Sequence, residues 1–239
     1  MPAKLVESVN SLDPSDFFQK YLPPETLSAI TSDTSVLGHS SLRVILTGTG
    51  RSLTAENKGF LEQCLRLIES TSAADYRRSE VKWSVSKKRR EMHLPDMRYV
   101  ILVENHKDGR AELNVAGFVS FMVTYEDGKE VIYSYEVHLA ESWQGKGIGK
   151  KLMETVEGVG RKVGVEKSML TVFKANKRAV KLYETLGYGE DEYSPKPRKL
   201  RNGTVKESSY VILSKGLRRD LGGVTRQASL VFPQNIHLI

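Results

Sequence analysis

The residues best suited to chemistry in this chain form one short run, Gln144-Gly145-Lys146-Gly147-Ile148-Gly149. Glycines at 145, 147 and 149 let backbone N–H groups approach a ligand with no Cβ in the way. The run follows an apolar stretch of strand character, Val131 to Leu139, and opens a helical pattern. A helix N-terminus adds unpaired N–H groups and about half a positive charge, so the stretch is suited to cradle a phosphate-bearing ligand. Two common phosphate motifs are excluded by single residues. A P-loop would need glycine at 144 and a hydroxyl at 151, where Gln144 and Lys151 stand. The dinucleotide fingerprint Gly-x-Gly-x-x-Gly would need glycine at 150, which is Lys150. A plain glycine-rich turn remains the competing reading of the run by itself.

A second set of residues lies about thirty positions on. Asn176 can cap a helix whose apolar face is Ala179, Val180, Leu182, Tyr183 and Leu186, and Gly187 ends it. An ordinary capped helix explains each feature singly but not their pairing with the glycine run. Together the two sets resemble the signatures of the GNAT superfamily of acyl-CoA N-acyltransferases, Arg/Gln-x-x-Gly-x-Gly/Ala and Asn-x-x-Ala-x-x-Leu/Phe-Tyr-x-x-x-Gly-Phe/Tyr.

The remaining elements must position these residues. The chain has 239 residues, 39% apolar and 27% charged, which suits one well-cored domain with extensions. No apolar run of membrane-spanning length exists, and Met1-Pro2-Ala3-Lys4 leads into polar sequence, so a soluble intracellular protein is expected. Cys64 is the only cysteine and sits on an apolar helical face, which excludes an intrachain disulfide and makes cysteine chemistry a poor reading. The five histidines are scattered, so no metal site is expected. A net charge of +7 is spread along the chain without aromatic-basic stacking motifs, and direct nucleic-acid binding is not expected. Lys87-Lys88-Arg89-Arg90 reads as an exposed helical face, with nuclear import as the alternative.

In order, the sequence predicts a helical N-terminal arm over 1–41 with starts at Asp13-Pro14 and Pro23-Pro24. A strand over Leu42 to Thr47 and a Thr54-capped helix carrying Phe60, Leu61, Cys64, Leu65 and Ile68 follow. Tyr76 to Met92 is a polar helix-loop-helix. Strands over Tyr99 to Glu104 and Val115 to Thr124 are joined at Lys107-Asp108-Gly109, and Glu126-Asp127-Gly128-Lys129 turns into the Val131 strand. After the glycine run come a helix ending at Gly164, a strand over Ser168 to Phe173, the Asn176 helix, a basic Pro-rich loop and a strand over Ser208 to Ser214. Residues 42–215 then form the domain, and 216–239 a tail that is loosely held or lies over it.

That order matches the GNAT topology, an α/β (α+β) fold with a mixed, mostly antiparallel sheet flanked by helices. Within it, Tyr133-Ser-Tyr135-Glu136-Val137, Met169-Leu-Thr171-Val-Phe173-Lys174, Asp191-Glu192-x-Ser194-Pro195 and Ser209-Tyr210-x-Ile212 resemble the N-alpha-acetyltransferase D (NatD) family. The resemblance implies transfer of acetyl from acetyl-CoA to the N-terminal serine of histone 4 and histone 2A, in cytoplasm and nucleus, by a monomer without auxiliary subunit. It assigns acetyl-CoA to Val137, His138, Leu139 and Ala140, to Gln144, Gly145, Lys146, Gly147, Ile148, Gly149 and Lys150, and to Asn176. It assigns the peptide to Tyr76, Glu136, Thr171, Tyr193 and Tyr210, and Tyr99, Glu126 and Asp191 are further candidates for that side. Two residues depart from the family pattern: Thr124 where animal members have an acidic side chain, and Tyr193 in place of a serine.

For the implied reaction, an α-amine of pKa about 8 is deprotonated far more readily than a lysine of about 10.4, so a modest base suffices. Glu136 with Tyr135 alongside is the candidate base, acting through a water, and a purely cation-binding Glu136 is the alternative. Tyr183 is the candidate acid at the departing sulfur, or a core tyrosine. Strict alternation would send Tyr135 and Glu136 to opposite faces, so their joint use requires a β-bulge. A basic histone tail needs carboxylates, and Glu126, Asp127, Glu136, Asp191 and Glu192 are the candidates for an acidic mouth. Lysine or small-amine acetylation, or an inactive acyl-CoA-binding adaptor, are the competing functions.

Overall fold

A computed structural model describes residues 4–31, 41–49, 53–105, 113–199 and 201–217. Three short helices come first, α1 (Leu5–Asn10), α2 (Pro14–Tyr21) and α3 (Pro24–Thr31). Then follow β1 (Ser41–Gly48), α4 (Ala55–Arg78), α5 (Val85–Met92), β2 (Arg98–Asn105), β3 (Val115–Glu126) and β4 (Lys129–Leu139). A 3-10 turn (Glu141–Trp143) leads to α6 (Ile148–Val163), β5 (Lys167–Phe173) and α7 (Lys177–Thr185). The chain ends its described part with β6 (Gly189–Glu190), a ribbon of β7 (Arg198–Lys199) and β8 (Val205–Lys206), and β9 (Tyr210–Gly216). The ribbon and α1 are absent from the sequence reading. The turn at 107–109 and the tail from 218 lie outside the described residues.

Local chemistry accounts for the boundaries. Thr54 accepts from the Asn57 N–H and starts α4, Ser84 accepts from Lys87 N–H and starts α5, and Asn176 accepts from Ala179 N–H and starts α7. Gly164, at φ 92°, ends α6 in the left-handed region. Asp127 and Gly128, at φ 47° and 76°, make the β3–β4 turn with both central residues left-handed, the geometry that matches strand twist.

Seven strands form one sheet in the order β1-β2-β3-β4-β5-β9-β6. All neighbours are antiparallel except β4 and β5. Alternate residues of β2 feed two cores. Val100 and Leu102 join Phe17, Phe18, Leu152 and Val156 from α2 and α6, while Tyr99, Ile101 and Val103 join Leu61, Cys64 and Ile68 from α4. Each fully buried side chain of this size contributes on the order of 2 kcal/mol through burial. Val6, Val9, Phe17, Phe18, Leu22 and Ile30 all lie in the first cluster, so α1 to α3 complete the core beneath one face.

One feature of the sheet opens the site. β4 pairs with β5 only from Val131–Ser134 to Lys167–Leu170. Beyond that, β4 runs on to Leu139 beside β3 alone, and β5 runs on beside β9 alone. The strands diverge, and the backbone edge of 135–139 loses its partner on that side.

Candidate active site

The glycine run lies at the mouth of this divergence. Gly145 and Gly147 both adopt φ 76°, where a side chain would be strained, and Gly147 is the N-cap of α6 with no side chain to satisfy the first N–H groups. The Gln144 side chain ties the loop down: its Nε2 donates to the Leu139 carbonyl at 2.9 Å and its Oε1 accepts from Arg178 Nη1 at 2.9 Å. Arg178 was not singled out from the sequence, yet a Cβ at Gly145 would lie 3.6 Å from its guanidinium. Lys146 lies 4.6 Å over the Trp143 ring, and Lys150 is 3.7 Å from Glu154. A glycine-lined helix start with Lys146, Lys150 and Arg178 around it fits a pyrophosphate. Ile148 is buried in the core and Gly149 packs its Cα side against Leu182 and Leu139, so these two seat the loop.

Val137, Leu139 and Ala140 are partly buried along the unpaired edge, suited to backbone contacts with an extended ligand arm. His138 belongs there by its backbone only. Its ring turns to the other face, stacks on Phe118 at 5.6 Å and contacts Glu136 and Thr71. Asn176 Oδ1 is committed to its own helix, at 3.1 Å from Ala179 N. Tyr183 is buried beside Tyr188, their rings 6.0 Å apart, and burial raises its phenol well above the ordinary range. It holds a proton at neutral pH.

The required bulge is present. Ser120 pairs with Glu136 and Phe121 with Ser134, which leaves Tyr135 as the extra residue. Tyr135 and Glu136 consequently share the face beneath α4 and α5, where Tyr135 packs 5.4 Å from Tyr133. Glu136 is only 7% exposed, and both its oxygens are engaged. Oε1 accepts from Lys88 Nζ at 2.7 Å and from the Tyr76 hydroxyl at 3.3 Å, and Oε2 meets His138 Nε2 at 2.5 Å. Burial acts to raise this carboxyl, but the Lys88 ammonium and the His138 hydrogen bond prevail and hold it well below the usual range. On the other side of the ring, His138 Nδ1 lies 2.6 Å from the Thr71 hydroxyl, which is also hydrogen-bonded to the Leu67 carbonyl at 2.7 Å.

Lys88 itself is 4% exposed, which corrects the expectation that Lys87 to Arg90 form an exposed face. It also bonds Glu91 Oε1 at 2.6 Å and lies 4.9 Å from the centre of the Tyr76 ring. Neither Lys88 nor Glu91 was read as a site residue. Their spacing of three on a polar helix was the only available signal, and that pattern is shared by many solvated pairs.

The peptide side is closed by other contacts. Tyr76 packs against Trp83 and Phe173, 5.4 and 4.8 Å between ring centres. Tyr133 and Thr171 share a hydrogen bond at 2.6 Å across β4 and β5. Glu80, between α4 and α5, accepts from Ser208 Oγ at 2.8 Å and Ser209 N at 3.2 Å, clasping that loop to the start of β9 next to Tyr210. Tyr210 is buried at 7% exposure, whereas Tyr193 is 45% exposed on the rim.

Two expectations are corrected here. Tyr99 does not line the site: it is fully buried in β2 and its hydroxyl donates to the Met92 carbonyl, so it supports the end of α5 from below. The acidic mouth is largely compensated from within. Asp191 pairs with Lys167 at 2.5 Å, Glu192 with Lys129 at 2.5 Å, and Glu136 with Lys88. No ion pair joins Glu126 or Asp127 among the described residues, and burial, with Asp127 beside it, pushes the Glu126 carboxyl up to about 7.

Comparison with known proteins bears on this geometry. The sequence profile described as "Acetyltransferase (GNAT) family" matches residues 61–188, more than half of the chain. The chain belongs to the acetyltransferase (GNAT) family. The matched span runs from α4 through the glycine loop to the end of α7, so it contains both faces of β4. The chain is 35% identical over 164 residues to N-alpha-acetyltransferase 40 of Saccharomyces cerevisiae, covering 57% of this chain and 54% of that one. It is 30% identical over 81 residues to an uncharacterised N-acetyltransferase, YycN, of Bacillus subtilis, covering 34% of this chain and 52% of that one. The matches span about half the length of these curated relatives. Among solved structures, that of Tetrahymena GCN5 superposes with a TM-score of 0.51 at 10% identity, covering 74% of this chain and 96% of that one, which shows the GNAT fold.

Proposed function

We propose that this GNAT protein transfers the acetyl group of acetyl-CoA to the free α-amine of a protein N-terminus. The observation that carries the reading is the placement of the buried Glu136 carboxylate at a bulge in β4, directly beside the edge that the β4–β5 divergence leaves open next to the glycine cradle. The similarity to an N-alpha-acetyltransferase of yeast supports it.

Gly145, Gly147, the α6 N-terminus, Lys146, Lys150 and Arg178 would hold the pyrophosphate, and Val137, Leu139 and Ala140 the arm. Bound there, acetyl-CoA supplies a thioester whose carbonyl is open to an amine. The protein's own part is positional. The ionised Glu136 attracts the incoming ammonium, and the bulge presents Tyr135 and Glu136 together. Roughly a tenth of an α-amine of pKa about 8 is already neutral at pH 7, so Glu136 has only to accept the one proton the nitrogen sheds as its bond to the acetyl carbon forms, directly or through water. Tyr183, protonated and buried with Tyr188 on the α7 side, would give its proton to the thiolate that leaves as the thioester C–S bond breaks.

The finer substrate reading is the N-terminal Ser-Gly-Arg-Gly of histone 4 and histone 2A. It rests on the Tyr-x-Tyr-Glu and Leu-Thr-Val-Phe-Lys stretches and on Glu126 as an uncommitted carboxylate at the rim. Such a substrate would place the protein in cytoplasm and nucleus, working as a monomer. The test is intact-mass detection of acetyl transfer to Ser-Gly-Arg-Gly-Lys peptides with a free N-terminus, a blocked N-terminus, or arginine changed to alanine. Only the first is expected to be a good substrate. Acetylation of the blocked peptide on lysine at a similar rate would overturn the N-terminal reading.

A further inference from the structure

Helix α5 turns a charged face inward. Of its eight residues only Lys88, Glu91 and Met92 are buried, and Lys88 and Glu91 point at the sheet. A buried ion pair is weak support for a fold, because well-packed apolar side chains of similar volume are often as stable or more so. A helix free to seat leucine at these positions has seated an ammonium between two carboxylates. The ammonium meets Glu136 Oε1 at 2.7 Å and Glu91 Oε1 at 2.6 Å, so the two acids compete for one cation. Among the described residues, the other titratable groups around the cluster are Tyr76 and Cys64 from α4, Tyr99 from β2, Tyr135 and His138 from β4, and Tyr183 across the sheet, with Glu126 of β3 acting on Tyr135.

We propose that Lys88 and Glu91 are positioning residues for Glu136: Lys88 holds the Glu136 carboxylate ionised and aimed along β4, and Glu91 sets how firmly by competing for the same ammonium. This rests on the acyl-transfer reading for its consequence in turnover, but the electrostatic coupling exists whatever the substrate. When Glu91 is ionised it draws Lys88 away, and Glu136 becomes a better proton acceptor. When Glu91 is protonated, Lys88 serves Glu136 alone. The environment separates the two acids accordingly, with Glu91 pushed up by burial to about 7 and Glu136 held down.

The experiment has two readouts on the full chain. Carboxyl carbon NMR on glutamate-labelled protein, assigned with Glu91→Gln and Glu136→Gln, follows each acid's titration in the wild type, Lys88→Met and Glu91→Gln. Lys88→Met is expected to move the Glu136 titration up by more than one pH unit, and Glu91→Gln to move it down. The second readout is kcat against pH on the free-N-terminus peptide. Lys88→Met should displace the acid limb of the profile upward, with acetyl-CoA affinity within a few-fold of the parent by calorimetry. Glu91→Gln, nearly the same shape, should flatten the profile between pH 6 and 8 and serves if Lys88→Met does not fold. A Glu136 titration indifferent to Glu91→Gln and to Lys88→Met where it folds overturns the proposal. Coupled titrations in a wild-type protein that acetylates no amine would keep the electrostatic assignment and sink the acyl-transfer reading instead.

Discussion

The two sides of strand β4 are built from different materials. Towards α6 and α7 the site is backbone: a glycine N-cap, an unpaired strand edge and a Gln144 side chain that does nothing but fix the loop. Towards α4 and α5 it is buried charge, with Lys88, Glu91, Glu136 and His138 locked together beneath Tyr76. A backbone site has one geometry and fails abruptly when a side chain intrudes. A charge site is graded, since each member's proton affinity depends on the others, and it should answer to pH and to isosteric substitution.

The largest effect expected from this contrast is on the backbone side. Gly147→Asp places a Cβ where φ is 76° and a carboxylate in the loop proposed to hold the pyrophosphate, so acetyl-CoA affinity should fall at least about 100-fold. Calorimetry reads it directly. A variant that binds within a few-fold of the parent would remove the cradle from this loop, while the charge side should be untouched either way.

Next is the charge side itself. Glu136→Gln leaves Lys88 paired with Glu91 alone and removes the carboxylate at the bulge. Turnover at saturating peptide should drop on the order of 100-fold, with acetyl-CoA affinity unchanged. A rise in KM with constant kcat would make Glu136 an anchor for the substrate cation. A loss of acetyl-CoA affinity would break the comparison, because the two sides would then not be separable.

The same contrast explains what the sequence revealed. The glycine run and the Asn176 helix are contiguous, and contiguous residues announce their geometry through spacing alone, as Gly147, Gly164 and Gly187 do at their helix ends. The bulge was also legible, because Tyr135 and Glu136 could share a face in no other way. The charge cluster was not. Glu136 lies 48 residues from Lys88, and nothing local distinguishes Lys88 from its solvated neighbours Lys87 and Arg89. Tyr99 failed for the related reason that a strand tyrosine gives no sign of which face its hydroxyl reaches. The lysine partners of Asp191 and Glu192 are likewise set by tertiary contacts.

A smaller effect tests whether the cradle is reinforced by charge. Arg178 is exposed and bonds Gln144, so Arg178→Ala removes one cation and one tether. Acetyl-CoA affinity should fall about 5-fold, and the loss should shrink at high salt, as expected for a surface charge. A 100-fold loss would mean that the cradle depends on side-chain charge after all.

The smallest expected effect concerns Glu126, at the end of β3. Its carboxyl is raised to about 7 by burial and by Asp127, with Lys167 pulling weakly the other way. A carboxyl raised on folding stabilises the native state below its unfolded value of about 4.3, and that stability is lost as pH rises through the folded value. Relative to Glu126→Gln, the wild type should therefore lose stability between about pH 4.5 and 7 and show a constant deficit above it. Glu126 is only partly buried, so the deficit should amount to a few degrees of melting temperature at most. A cationic peptide bound at the rim would relieve the strain by taking the ionised carboxylate as its partner, and arginine does so with two parallel bonds. Melting curves of the two proteins from pH 4 to 8, with and without Ser-Gly-Arg-Gly-Lys, separate the cases. The wild-type deficit should vanish when peptide is present. A deficit that persists with peptide would place the arginine elsewhere and leave Glu126 as a carboxyl that only the fold has to accommodate.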